Sequence, residues 1–166
     1  MKATDTLKRG ISKVRRLWRE ERFAKALAEV DRLLSEWPNS PYLLVMRSDL
    51  IRLQDEEDGE PTLDDAKADL KLAVALDEDS PAALIELGYY VFAIEDDAGT
   101  AVKHFQKAIR LCRGLLKDAL TGQAKALSEL GRDVEALECL AQAINQNGKS
   151  GSEEILEQLR QLQRSR

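Results

Sequence analysis

Apolar residues recur at three- and four-residue steps in the middle of the chain, from Ser80 to Cys112. The Ser80–Pro81 pair predicts a helix start, because serine caps helix N-termini and proline suits the first turn. A polar, glycine-containing break follows at residues 95–99, and Thr100 is predicted to cap a second helix. The apolar residues of the first helix are Leu84, Leu87 and Val91, and those of the second are Ala101, Phe105, Ala108 and Ile109. The period of both sets predicts two helices whose shared apolar face needs neighbouring copies to cover it.

The second helix of this pair has three copies in the chain. Each has a small residue, a large residue four positions later, and further apolar residues at positions seven and eight. The four sets are Ala26, Val30, Leu33 and Leu34; Ala66, Leu70, Ala73 and Val74; Ala101, Phe105, Ala108 and Ile109; and Ala136, Leu140, Ala143 and Ile144. Successive sets are 40, 35 and 35 residues apart, so the register predicts a stack of helix pairs.

Local signals place the remaining helices. Helices are predicted at residues 5–20 and 21–37, the second closed by Pro38, which cannot continue a helix. A third begins at the Ser40–Pro41 cap, and Thr62 followed by Asp65 predicts a capping box for a fourth. A seventh is predicted to start at Arg113 or Gly114, and an eighth to follow the turn at Gly131. A terminal helix is predicted at residues 152–164.

The spacing and the residue pattern resemble the tetratricopeptide repeat, a helix pair of about 34 residues. Leu84, Leu87, Gly88 and Val91 stand where that family has Trp, Leu, Gly and Tyr, and Ala101 and Phe105 match its Ala-x-x-x-Phe. Pro38 fits the proline that closes a repeat, although the later repeats lack it, and residues 55–60 are an insertion.

The resemblance implies an all-α fold, a right-handed superhelical stack of four hairpins plus a C-terminal capping helix. The whole chain, residues 1–166, would form one domain with repeats at about 7–40, 41–80, 81–113 and 114–147.

Composition and charge limit the classes of protein to which this chain can belong. One third of the residues are charged and few are aromatic, which is typical of a soluble helical protein. The start of the sequence lacks the apolar stretch of a secretory signal and no run reaches a membrane span, so a cytoplasmic protein is expected. Residues 1–25 carry nine Lys or Arg against three Asp or Glu, whereas residues 54–100 carry two against fifteen. Such segregation either steers a partner or merely reflects solvated faces.

Motifs for catalysis, cofactors or metals are absent. The chain has no Gly-rich phosphate loop, no nucleophile elbow and a single histidine, His104, expected at the surface. The acidic loop at residues 55–60 fits a calcium site poorly, because position twelve would be Asp65 where a glutamate is expected. Cys112 and Cys139 are expected as buried or half-buried free thiols. We therefore expect no enzyme activity, no cofactor and no metal.

Binding to another protein is the remaining function. The basic N-terminal helix suggests nucleic acid, but the acidic half and a pI near 5.1 disfavour it. By the resemblance, the first helix of each pair lines a concave groove, and Ile85, Tyr89 and Phe92 form a second apolar stripe there. The alternative is that this stripe only packs on neighbouring helices. The predicted groove residues are Arg15, Trp18, Tyr42, Met46, Asp49, Arg52, Ile85, Glu86, Tyr89, Phe92 and Lys125.

The sequence thus predicts a non-catalytic adaptor that binds a peptide or helix of a partner protein. Relatives that grip chaperone tails use Lys, Asn and Arg at five positions that here are Ile11, Arg15, Met46, Ala83 and Leu87, so that clamp is absent. A self-associating scaffold, in which the chain forms a homo-oligomer, and a small secretion-type chaperone remain alternatives.

Overall fold

The computed structural model describes residues 2–54 and 61–147. Within them the chain is all-α, as predicted, and contains no strand. The helices are α1 (Lys2–Arg19), α2 (Phe23–Glu36), α3 (Pro41–Arg52), α4 (Leu63–Leu76), α5 (Pro81–Ala93), α6 (Ala98–Glu129) and α7 (Asp133–Asn147). The predicted terminal helix and the acidic loop lie outside the described residues.

Three helix starts confirm the predicted caps. The Oγ atoms of Ser40 and Ser80 accept hydrogen bonds from backbone N–H groups in the first turns of α3 and α5, each ahead of a first-turn proline. At α4, Thr62 Oγ1 accepts from Asp65 N, and Asp65 Oδ2 accepts from Thr62 N at 2.7 Å. Both halves of the capping box are therefore present, and two otherwise unpaired backbone donors are satisfied.

Helix α6 departs from the prediction at two places. It begins at Ala98, and its cap is the Asp97 carboxylate, which accepts from the backbone N–H of Thr100 at 2.9 Å, so the prediction of Thr100 as the cap is wrong. It also runs without a break through Arg113 and Gly114, so the predicted start of a seventh helix there is wrong. A lone glycine in a helix costs only about 1 kcal/mol, and neither proline nor a capping side chain accompanies it.

The burial pattern supports the repeat register. The residues at the first and third positions of all four sets are buried, and so are three of the four at the second position. Phe105 is the half-buried exception, and it lies over Gly88: a Cβ at that glycine would come within 2.9 Å of the ring. The small residues thus mark the places where helices approach most closely.

The chain divides into two compact units, Met1–Ala108 and Ile109–Arg166. In the first unit, α1 packs on α2, α2 on α3, α3 on α4, and α5 on both α3 and α4. Its core includes Val14, Val30, Leu50, Leu70, Val91 and Ala101. In the second unit, the latter part of α6 packs on α7 through Ala124, Leu127, Ala136, Cys139, Leu140 and Ala143.

An ion cluster around the buried Glu29 carboxylate ties α1 to α2 in the first unit. Glu29 is only 8% exposed and accepts from Arg32 at 2.7 Å and from Lys13 at 2.6 Å. The Arg32 hydrogen bond is the main reason that the pKa of Glu29 lies below its ordinary value despite burial.

Two of the turns between helices have the same backbone geometry. After α1, Arg22 N donates to Leu17 O at 2.9 Å, and after α6, Arg132 N donates to Leu127 O at 2.9 Å. The residue at the turn has a positive φ in both places, 55° at Glu21 and 73° at Gly131. Glycine adopts this conformation without strain, whereas glutamate does not.

Replacing Glu21 by glycine should therefore stabilise the protein by about 1 kcal/mol, and replacing Gly131 by alanine should destabilise it by about as much. Nothing lies within 4 Å of a Cβ built at Gly131, so its cost is conformational rather than steric. Urea unfolding of the two variants measures both changes; equal midpoints for Glu21→Gly and wild type would contradict the strain at Glu21.

Ala101 tests the close approach of helices. It is 1% exposed, so Ala101→Leu should overpack the core and destabilise the protein by about 1–3 kcal/mol. Val102, its neighbour on α6, is 50% exposed, and Val102→Leu should change stability by less than about 0.5 kcal/mol. If the two variants unfold at the same denaturant concentration, the assigned register is wrong.

Candidate functional site

The first helices of the first three pairs, α1, α3 and α5, are joined by side chains that the sequence assigned to the groove. Arg15 Nη2 on α1 donates to Tyr42 Oη on α3 at 3.0 Å. Arg52 Nη2 on α3 donates to Glu86 Oε2 on α5 at 2.8 Å. These contacts define one surface, the first-helix face, formed by Arg15, Tyr42, Asp49, Arg52, Glu86, Tyr89 and Phe92.

The middle of the first-helix face is a charged triad. Arg52 lies between two carboxylates, donating to Asp49 on its own helix as well as to Glu86. Burial raises the pKa of Asp49 to about 6, and the Glu86 carboxylate adds to this, since together they outweigh the attraction of the guanidinium. The two carboxylates, Asp49 and Glu86, thus share a single guanidinium.

The α5 end of the first-helix face is apolar and open. Tyr89 is 53% exposed and Phe92 is 55% exposed, although the opposite side of α5 is buried. The Tyr89 ring packs edge-on against Phe105, with 5.1 Å between the ring centroids. Phe105 therefore supports one side of the Tyr89 ring, and the rest of that ring is open to solvent. Ile85 is half-buried. Among the described residues, neighbouring helices thus leave more than half of Tyr89 and of Phe92 exposed, whereas they cover part of Ile85.

Three further predicted groove residues differ in their environments. Met46 is 7% exposed and belongs to the core, so its assignment to the groove is wrong: the side of α3 that carries it faces its neighbours. Trp18 is half-buried and packs edge-on against Phe23, with 6.4 Å between ring centroids. Lys125 is exposed on the part of α6 that belongs to the second unit.

One exposed apolar residue directly after Arg52 is absent from the predicted groove residues. Leu53, the residue after α3, is 46% exposed and follows Asp49 by four positions. Residues four apart lie on the same side of a helix, so this spacing was the available signal.

The basic N-terminal helix offers a different surface. Lys8, Arg9, Ser12, Lys13 and Arg16 line a concavity of about 480 Å³ on α1. One helix supplies every lining residue, and Lys13 already pairs with Glu29. The concavity is therefore an open cationic patch rather than an enclosed pocket.

The structure also shows the environments of the cysteines and of the histidine. Both cysteines are free thiols, but Cys112 is exposed, which corrects the prediction of a buried or half-buried residue; Cys139 is buried. His104 is half-buried, and burial lowers its pKa. No cluster of metal-ligating residues occurs within the described ranges. None of the helices described is both long and apolar enough to cross a membrane.

The raised pKa of Asp49 predicts a pH dependence. Because the folded state holds this proton more tightly than the unfolded state, the group's contribution to stability falls as pH rises from about 4 to about 6 and stays lost above that range. Asn at this position does not titrate. The Asp49→Asn variant should therefore gain stability relative to wild type between pH 4 and pH 7, measured by urea unfolding at each pH; a constant difference would contradict the raised pKa.

Comparison with known proteins gives the fold. No family model matches the sequence, and neither does any curated protein. A crystal structure titled as the MamA protein is 24% identical with a TM-score of 0.51, and the match covers 87% of this chain and 74% of that one. A second MamA crystal structure is 23% identical with a TM-score of 0.48, covering 80% and 72%. Together with the buried repeat register, the first likeness shows that the chain has a tetratricopeptide-like helical repeat fold.

Proposed function

We propose that this protein is a non-catalytic interaction module that holds a peptide or helix of a partner protein on its first-helix face. The observation that carries the proposal is the exposure of Tyr89 and Phe92, each more than half accessible beside a well-packed core. Two neighbouring aromatic rings in water lack the favourable free energy of burial. An apolar side chain of a partner provides that free energy when it covers the rings on binding.

The rest of the first-helix face suits recognition of a protein segment. Tyr and Arg are enriched where interfaces concentrate their binding energy, and Tyr42 and Arg15 lie side by side at the α1 end. Ion pairs hold α3, which carries part of this surface, against the neighbouring second helices. Arg47 on α3 contacts Asp31 on α2 at 2.6 Å and Asp69 on α4 at 2.8 Å. A braced surface loses little conformational entropy when a ligand binds, which favours affinity.

The proposal predicts that the double variant Tyr89→Ala, Phe92→Ala loses its partner. Removing both aromatic anchors at the α5 end should weaken binding by at least about 30-fold, because truncating even one such anchor costs about 2 kcal/mol. Affinity capture from the source cell followed by mass spectrometry, with wild type alongside, measures the loss. Circular dichroism checks that the variant remains helical.

Leu72 and Leu76 provide a matched control. They are 43% and 41% exposed on α4, in the same unit but on the second helix of its pair. The variant Leu72→Ala, Leu76→Ala should retain the partner. If both double variants capture the same proteins as wild type, the first-helix face is not the binding surface.

Light scattering of the same variants distinguishes a foreign partner from a second copy. A wild-type monomer at all concentrations excludes the self-associating scaffold. An oligomer that Tyr89→Ala, Phe92→Ala converts to a monomer would instead show that a second copy occupies the face.

A further inference from the structure

Charge is distributed unevenly along the first-helix face. At the α1 end, Arg15 is exposed and donates to the neutral hydroxyl of Tyr42. No carboxylate contacts Arg15 in the part of the chain that the structure describes. Arg19, one turn later on α1, is exposed as well. This end therefore presents two cations for which the described residues supply no carboxylate partner.

The middle of the face, next to its α5 end, has the opposite balance. Asp49 and Glu86 share one guanidinium, that of Arg52, so the triad retains one negative charge when all three groups are ionised. The other arginine of α3, Arg47, cannot compensate, because its guanidinium is engaged by Asp31 and Asp69. The open rings of Tyr89 and Phe92 lie on the same helix as Glu86. A cationic group that arrives here gains from the excess carboxylate and from the aromatic faces.

We propose that the first-helix face is polarised and selects a partner segment with an acidic residue at one end and a Lys or Arg next to an apolar side chain at the other. This inference rests on the proposed function and adds the chemistry and orientation of the ligand. The acidic residue meets Arg15, the basic residue meets Asp49 and Glu86, and the apolar side chain covers Tyr89 and Phe92. Burial is the main cause of the raised pKa of Asp49, and the neighbouring Glu86 carboxylate adds to it.

The geometry also limits the spacing within the ligand. Directly packed helices, such as α3 and α5, lie about 8–10 Å apart, whereas α1 meets α3 through the long Arg15 and Tyr42 side chains, so the shortest path from α1 across α3 to α5 is about 16–20 Å. An extended segment covers this in about five or six residues, at about 3.3 Å per residue. A helical segment needs about 11–13 residues, at about 1.5 Å per residue. The separation of acidic and basic residues in bound peptides therefore reports the ligand's conformation.

A phage-displayed library of random 16-residue peptides, selected on the full immobilised chain, tests this inference. Wild type should enrich peptides that contain Lys or Arg beside an apolar residue and an acidic residue at one of the two spacings. A selected peptide should bind Asp49→Asn, Glu86→Gln at least about tenfold more weakly than wild type. Asp77→Asn, Glu78→Gln changes two exposed acids outside this face and should bind the peptide as wild type does.

The outcomes separate this inference from the proposed function. One outcome is a peptide whose binding requires Tyr89 and Phe92 but is unchanged in Asp49→Asn, Glu86→Gln. That outcome would contradict the proposed polarity of the ligand and leave the proposed function intact. Enrichment of acidic residues beside the apolar anchor would do the same. Peptides that match a segment of this chain would overturn the assignment to a foreign partner. If no peptide prefers wild type over Tyr89→Ala, Phe92→Ala, both proposals fail.

Discussion

Close approach between helices, made possible by small side chains, is the constraint on which the fold depends. Ala26, Ala66, Ala101 and Ala136 occupy the same position of the repeat, and each is at most 2% exposed. An alanine lets two helix backbones come close without leaving a cavity, and the large residue four positions later fills the space beside it. The same device recurs in each pair, so each second helix is seated in the same way on its partner. The surfaces of the first helices are then free to differ from one repeat to the next.

The helix pairs share one apolar pattern, but their polar contacts differ. The Glu29 cluster fixes α1 on α2, and Arg47 links α3 to both second helices of the first two pairs. Tyr90 is 2% exposed and donates its hydroxyl to Leu63 O at 2.8 Å, which ties α5 to the start of α4. Each contact pairs a buried or partly buried polar group with a defined partner, so a shifted register would leave that group unsatisfied. These contacts therefore add specificity to the packing.

The sequence predicted those features that depend on local chemistry or on repetition. The caps at Ser40, Thr62 and Ser80 were predictable because each uses a side chain within three residues of its acceptor or donor. The repeat register was predictable because four copies agree. The course of α6 was not, since one glycine is a weak signal and helix continuity through Gly114 depends on the whole stretch. Met46 does not line the groove that the resemblance implies, because packing around α3 places it in the core. Partners such as Arg52 and Glu86, 34 positions apart, cannot be identified before the fold is known.

Gly88 connects the interior of the first unit to its open surface. The Phe105 ring occupies the space that a side chain at Gly88 would need, and the same ring supports the inner edge of Tyr89. An added methyl group at this glycine would displace the phenyl ring, and the displaced ring would tilt the tyrosine beside it. A buried glycine thereby sets the angle at which an aromatic ring meets solvent, so a substitution inside the protein can reshape its surface.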